Sequence, residues 1–181
     1  MVNLFEGQPH GKVELTFSLG SGVAASPNRL DLDECALQQN LQATQQANGS
    51  ATDADLQCIE SEAETAEGKI AVRFPNFSVE METGTGKTYV YLRTALELFR
   101  HYGWRKFMIV VPSAAVREGL VKTLQITRRH YREMFANTPY KFASYDSENL
   151  SQVRQFATSA SAEFMVMTID SFNKADRKSV V

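Results

Sequence analysis

Eight consecutive residues of this chain have types and spacing that can do chemistry: Met81-Glu82-Thr83-Gly84-Thr85-Gly86-Lys87-Thr88. Gly84 and Gly86 permit backbone conformations that a side chain would forbid. Successive N–H groups can then curl around an anion, and the N-terminus of a following helix adds positive potential. A lysine at 87 can reach the β- and γ-phosphates of a nucleotide, and the Thr88 hydroxyl can hold Mg²⁺. The expected binding set is Glu82, Thr83, Gly84, Thr85, Gly86, Lys87 and Thr88, with Lys87 and Thr88 as the catalytic groups and Thr88 as the metal ligand. Glu82 and Thr83 contribute mainly through their amides. The general pattern has glycine where this chain has Met81, but the GxGKT core remains.

Such a loop does not name a reaction, since kinases, GTPases and motor ATPases share it. A second acid must hold Mg²⁺ through water, and another group must orient an attacking water. Asp170 follows the apolar run 164–169, yet its neighbour is Ser171 rather than a second acid. Its alternative role is to shape the loop after that run.

Ser113 and Arg117 follow Pro112 on a loop-to-helix stretch, with Lys122 beyond. Backbone phosphate contacts use such cations, hydroxyls and helix N-termini. Ser113 can equally cap the helix. Arg128, Arg129 and Arg132 cluster with His130, either as a partner-facing surface or as a solvated face. His10, His101 and His130 lack carboxylates or thiols at ligand spacing and read as structural. Trp104, beside a turn, reads as a packing anchor, and Phe107, Met108 and Phe164–Met167 as core.

Several elements must position these groups. Val13, Leu15, Phe17 and Leu19 alternate over 12–19, a half-buried strand pattern, and 20–28 reads as a loop. Residues 31–48 read as a helix capped by Asp31 or Asp33 and ended by Gly49, with its glutamines on a polar face. Residues 50–68 are polar and acidic, either a surface helix or an insertion. Phe77–Met81 is the expected strand before the phosphate loop, and Thr88–Tyr102 the helix after it, closed by Gly103. Lys106–Val111 reads as a strand covered on both faces. Helices are expected at Val116–Leu124, at 127–136 and at Leu150–Phe156, with strands at Lys141–Tyr145 and Phe164–Ile169. Strands and helices alternate from 77 onward, which predicts an α/β fold with a parallel sheet. The expected division is 1–68, carrying the variable polar segment, and 69–181, carrying the nucleotide-binding core.

The chain has 181 residues, 43% hydrophobic and 22% charged, an ordinary globular composition. No apolar run is long enough to span a membrane, and no secretory leader is visible. The expected location is the cytoplasm. Cys35 and Cys58 form no CxxC pair and read as two inert thiols. The net charge of -2 conceals an asymmetry: residues 1–80 carry a net -8 and residues 81–181 a net +6. The basic half holds the phosphate loop and favours a polyanion.

FSVEMETGTGKTYVYLRT at 77–94 resembles the phosphate loop and helix of the Res subunits of type III restriction enzymes, within the superfamily 2 helicase-like ATPases. KFMIVVPSAAVREG at 106–119 is similar to that family's second conserved segment. YDSENLSQVRQFA at 145–157, FMVMTIDSFNK at 164–174 and NLFEGQP at 3–9 resemble further family stretches. The family normally has methionine at the position of Met81. The resemblance assigns Asp170 to the IDSFNK segment and not to an acidic DExx box, which is expected after residue 181. It implies part of a RecA-like first motor domain.

The implied ligands are ATP and Mg²⁺. The implied partners are double-stranded DNA, held in part by Ser113 and Arg117, and a methyltransferase subunit that reads sequence. The implied activity is ATP-driven movement or switching on duplex DNA before cleavage. The alternatives are a general superfamily 2 helicase or repair motor, and a nucleotide-responsive module without turnover.

Overall fold

The structure is a computed structural model and describes residues 1–11, 17–19, 23–25, 28–65, 68–136, 138–146 and 148–178. Its elements are a 3-10 turn (Val2–Phe5), β1 (Phe17–Leu19), β2 (Val23–Ala25), α1 (Glu34–Ala47), β3 (Cys58–Thr65), β4 (Gly68–Pro75), α2 (Lys87–Tyr102), β5 (Lys106–Val111), α3 (Ala114–Met134), β6 (Tyr140–Ser144), α4 (Leu150–Thr158), β7 (Ala162–Thr168) and α5 (Ile169–Lys178). They fall into two compact units. One comprises Met1–Pro9 and Leu30–Lys87, the other His10–Arg29 and the chain from Thr88 onward.

The second unit is built on a parallel sheet of order β5-β7-β6. The apolar run FMVMT could be sheltered on both faces only by a central strand, and β7 is that strand: every residue of it is buried. Its alternate residues serve two layers. Ala162, Phe164 and Val166 pack with Leu92, Ala95 and Leu96 of α2 and Leu120, Leu124 and Tyr131 of α3. Met165 and Met167 pack with Phe156 of α4. Burying one such aliphatic or aromatic side chain contributes about 1.5–3 kcal/mol. The fold is therefore mixed α/β, a parallel sheet flanked by helices, as expected for part of a RecA-like domain.

Several expectations in this unit meet the structure differently. β5 is an edge strand and is not covered on both faces: Met108 is 58% and Val110 43% exposed, so Met108 is not core. The helices expected at Val116–Leu124 and 127–136 are one helix, α3, because no glycine or proline interrupts 120–134. The strand expected at 12–19 lies partly outside the described residues; its described end, β1, pairs antiparallel with β2. β2 thus replaces part of the loop expected at 20–28.

In the first unit α1 starts where the sequence indicates. The Asp33 carboxylate accepts from the Ala36 N–H at 2.8 Å, satisfying a first-turn donor. Leu37 faces inward. The glutamines do more than meet water. Gln42 donates to the Asp53 carbonyl at 2.9 Å, Gln45 donates to the Asp53 carboxylate at 2.7 Å, and Gln38 accepts from the Leu56 N–H at 3.2 Å. They tie down the segment that leads into β3.

The helix or insertion expected at 50–68 is neither. Residues from Cys58 form β3, which pairs antiparallel with β4. The register puts Ile59 opposite Phe74 and Ser61 opposite Val72 on one face, with Glu60 opposite Arg73 on the other. That period of two marks a strand; the density of acids obscures it. Arg73 reaches Glu34 at 3.3 Å and Glu60 at 3.9 Å.

The strand expected at Phe77–Met81 is absent from the described sheets. A strand exists only through a partner's ladder, and this segment has none. Phe77 instead meets the Phe5 ring edge-on at 5.8 Å, and Val79 is 51% exposed.

Candidate functional site

The phosphate-loop residues form a turn that leads directly into α2. Gly84 has φ 84° and Gly86 φ 88°, the left-handed region where side chains are strained. Thr85 closes the turn on one acceptor: its N–H and its hydroxyl donate to the Glu82 carbonyl at 3.4 and 2.6 Å. No atom lies within 4 Å of where a Cβ of Gly84 would sit, so space beside that backbone is open to a ligand. Glu82 through Lys87 are all exposed.

Lys87 opens α2, whose first turn contains no acid. The unpaired amides of a first helical turn and the helix dipole both favour an anion there. Lys87 makes no ion pair among the described residues. The half-buried Thr88 lies close enough to the Tyr91 phenol to act on it. Burial raises the pKa of that phenol, and the Thr88 hydroxyl partly counters the rise. A hydroxyl has one proton and two lone pairs, so Thr88 can keep this contact and still offer a lone pair to a metal. Glycines, a lysine and a hydroxyl, with no acid in the first turn, are donors suited to a polyphosphate, and the second acid that would hold Mg²⁺ through water is not among them.

Ser113 caps α3, accepting from the Val116 N–H at 3.4 Å, and its backbone is extended as a cap requires. Capping uses one lone pair, and the proton remains free to reach a phosphate oxygen. Arg117 lies one turn on and is half-buried, while Lys122 is exposed.

The structure does not bring Thr88 and Ser113 together. Tyr89, next to Thr88, stacks on Tyr131 with ring centroids 5.5 Å apart. Tyr131 is near the far end of α3, about 27 Å from Ser113 at 1.5 Å per residue. Asp170 sits exposed in the first turn of α5, beside a hydroxyl pair in which Thr168 donates to Ser171 at 3.0 Å.

The remaining residues singled out in the sequence have local roles. Trp104 donates from Nε1 to the Arg29 carbonyl at 2.8 Å, as an anchor does. His101 lies 3.5 Å from Glu97, and His130 lies 3.3 Å from the Tyr89 hydroxyl. His10 packs against the backbone turn at Gly103. Cys35 and Cys58 are free thiols. Among the described residues no helix is long and apolar enough to cross a membrane.

Sequence reasoning missed one charged group. Glu163 on β7 is 5% exposed and is in register with Lys106 of β5 and Lys141 of β6. Its carboxylate lies 3.8 Å from the Lys141 ammonium. Lys106 donates to the Ser159 carbonyl; burial pulls its pKa down and the charge of Glu163 pushes it back up. Only strand pairing assembles this trio, and the three residues are too far apart in sequence to signal it.

Comparison with known proteins agrees with these features. The profile of the family described as type III restriction enzyme, res subunit, matches residues 38–180. The Res subunit of the Escherichia coli type III restriction-modification enzyme EcoP15I is 31% identical over 136 residues, covering 74% of this chain and 12% of that protein. The StyLTI Res subunit of Salmonella typhimurium is 48% identical over 65 residues, covering 35% of this chain and 7% of that protein. The EcoPI Res subunit of Escherichia phage P1 is 42% identical over 57 residues, 30% of this chain and 6% of that protein. The chain thus spans between 6% and 12% of the length of these relatives. With a family match over most of its length, carried on a parallel α/β sheet, the chain belongs to the Res subunits of type III restriction enzymes.

Proposed function

We propose that this chain is the ATP-binding part of an ATP-dependent DNA translocase, the Res subunit of a type III restriction endonuclease. The supporting observation is the pair of left-handed glycines, Gly84 and Gly86, immediately before a helix that opens with Lys87 and Thr88. The amides of Glu82–Lys87 cradle the polyphosphate. Lys87 neutralises charge on the transferred phosphoryl group, and Thr88 offers an oxygen to Mg²⁺. When bound, Mg²⁺ would supply charge neutralisation on the polyphosphate.

Ser113 and Arg117 hold the phosphate backbone of duplex DNA, contacts that carry no base information. Sequence reading then falls to a methyltransferase partner, in keeping with the restriction-modification names of the relatives. Turnover drives movement or switching on DNA before cleavage. The test is ATP hydrolysis by the full-length protein with and without DNA, for the parent and Lys87→Ala. Loss of turnover with partial retention of DNA binding is expected. Turnover near the parent rate in the variant would remove the assignment.

A further inference from the structure

The basic cluster at the end of α3 is not used by the proposed ATP and DNA sites. From Arg128 to Arg132, four of five residues are arginine or histidine. Arg129 pairs with Glu133 at 2.8 Å. Arg128 and Arg132, one turn apart and both exposed, make no ion pair among the described residues. Like charges at this spacing repel, so the helix bears an uncompensated cost. An anion from outside would relieve it.

A third cation is delivered by α2. Arg93 lies one turn beyond Tyr89, and the Tyr89–Tyr131 stack sets that turn of α2 against this end of α3. Several contacts hold the junction. Tyr131 is 1% exposed and donates from its hydroxyl to the Tyr89 carbonyl at 3.1 Å. The Tyr89 hydroxyl lies 3.3 Å from His130 Nε2. The Tyr140 hydroxyl is buried without a hydrogen-bond partner among the described residues. The charge of Arg93 acts on the Tyr131 phenol, and the charges of Arg128 and Arg132 act on Tyr140. The three cations thus lie near one aromatic cluster.

We propose that Arg93, Arg128 and Arg132 form a second polyanion-binding surface at the α2–α3 junction, taking backbone phosphates of a nucleic acid. Guanidinium groups match phosphate oxygens as two-pronged donors, and exposed His130 adds an aromatic ring beside them. A membrane surface fits less well, because it needs a broad apolar helix face to insert: Leu120, Leu124 and Tyr131 of α3 lie in the core, which leaves Ile126 and Met134 as exposed apolar residues beside the arginines. The surface is distinct from the Ser113–Arg117 contact: along α3, Arg128 and Arg132 lie about 16 and 22 Å from Arg117. It deepens the nucleic-acid side of the proposed function and does not depend on ATP turnover.

The test is fluorescence anisotropy of the full-length protein on labelled duplexes of two unrelated sequences over a potassium chloride series. The variants are Arg128→Ala/Arg132→Ala, Arg93→Ala and, separately, Arg117→Ala. Each lost phosphate contact lowers the slope of log affinity against log salt by roughly 0.9. The double variant is therefore expected to lose roughly two units of slope, equally on both sequences, and additively with Arg117→Ala. Arg128→Lys/Arg132→Lys keeps the charge and is expected to keep the slope. Unchanged slope and affinity in the alanine variants, with Arg117→Ala still weakened, would overturn this surface and leave the proposed DNA contact standing. The reverse pattern would support this surface and remove Arg117. Lysine variants that lose slope as the alanines do would show a folding defect in place of a phosphate contact, and overturn it. Loss of binding to phosphatidylserine vesicles with DNA binding intact would assign the surface to a membrane instead.

Discussion

The Tyr131 hydroxyl donates to the Tyr89 carbonyl oxygen at 3.1 Å while the two rings stack at 5.5 Å. One side chain thereby performs two tasks. It fills the core below α3, and it bonds a first-turn carbonyl of the helix that follows the phosphate loop. The start of α2 is thereby tied to α3 at Tyr89.

Tyr131→Phe keeps the packing and deletes the bond. The carbonyl left behind belongs to a helix, so its own intrahelical bond remains, and the cost should be about 1 kcal/mol. Calorimetric or denaturant unfolding of the variant would measure it.

A pH effect follows from the same burial. The phenols of Tyr91, Tyr131 and Tyr140 all have pKa values raised above the usual 10, in each case chiefly by burial. An acid whose folded pKa is raised keeps its proton better in the folded state. The stabilisation is complete below pH 10 and falls as pH rises above that value, because the unfolded chain ionises first. Denaturation midpoints should hold steady up to about pH 10 and then decline. In Tyr131→Phe that decline should be shallower, since one of the three contributions is gone. An equal decline in parent and variant would show that Tyr131 does not carry it.

Gly103 terminates α2 with φ 72° and donates to the Phe99 carbonyl at 2.9 Å, a left-handed helix end. A Cβ there would also meet the Gly11 carbonyl oxygen at 2.9 Å and His10 Cε1 at 3.0 Å. Gly103→Ala combines backbone strain with a clash against backbone and should cost about 1–3 kcal/mol. Gly49, also left-handed but with nothing within 4 Å, is the control. Gly49→Ala should cost about 1 kcal/mol or less.

On the proposed function, Lys87→Ala in the full-length protein should reduce ATP turnover roughly a hundredfold or more, because the lost charge would stabilise the transferred phosphoryl group. Thermal stability should hardly change, since Lys87 is exposed. A parallel loss of stability would mean that the loop, and not its chemistry, had been damaged.

Legibility in the sequence followed physical type. Long elements with strong periodicity and clear stops were readable: α1 with Asp33, α2 closed by Gly103, and β5 to the residue. The turn at 82–86 before α2 was readable because glycine spacing is a local requirement. What depends on partners was not. Phe77–Met81 has a strand's composition but no ladder. Glu60 and Glu62 belong to a hairpin whose alternation is masked by charge. β5 reads as doubly covered, yet coverage depends on its position in the sheet. The Tyr89–Tyr131 stack and the Lys106–Glu163–Lys141 register join residues distant in sequence, and no local spacing announces them.

That register supports the last prediction. Glu163 sits on the central strand with a lysine opposite it on each side, and its side chain is 6% exposed. Its carboxylate also accepts from the Ser161 hydroxyl at 3.3 Å. A buried carboxylate is tolerated only when paired and hydrogen-bonded. Removing it strands the partly buried Lys106, whose pKa is already lowered by burial and is held up by Glu163. Glu163→Ala should therefore cost about 2–4 kcal/mol, the range for breaking a buried pair from one side, moderated because Lys141 is half-exposed. Glu163→Gln keeps the shape and the acceptor and should cost less. Two further arms separate charge from packing. Lys141→Ala should cost under about 1 kcal/mol, because an exposed partner contributes little. Lys106→Met should recover part of the loss when combined with Glu163→Ala, since it removes the stranded charge. A double-mutant cycle by denaturant unfolding would read the coupling directly. If the double variant were as unstable as the sum of its singles, Glu163 would be acting through packing alone, and the cross-strand charges would have no part in fixing the sheet.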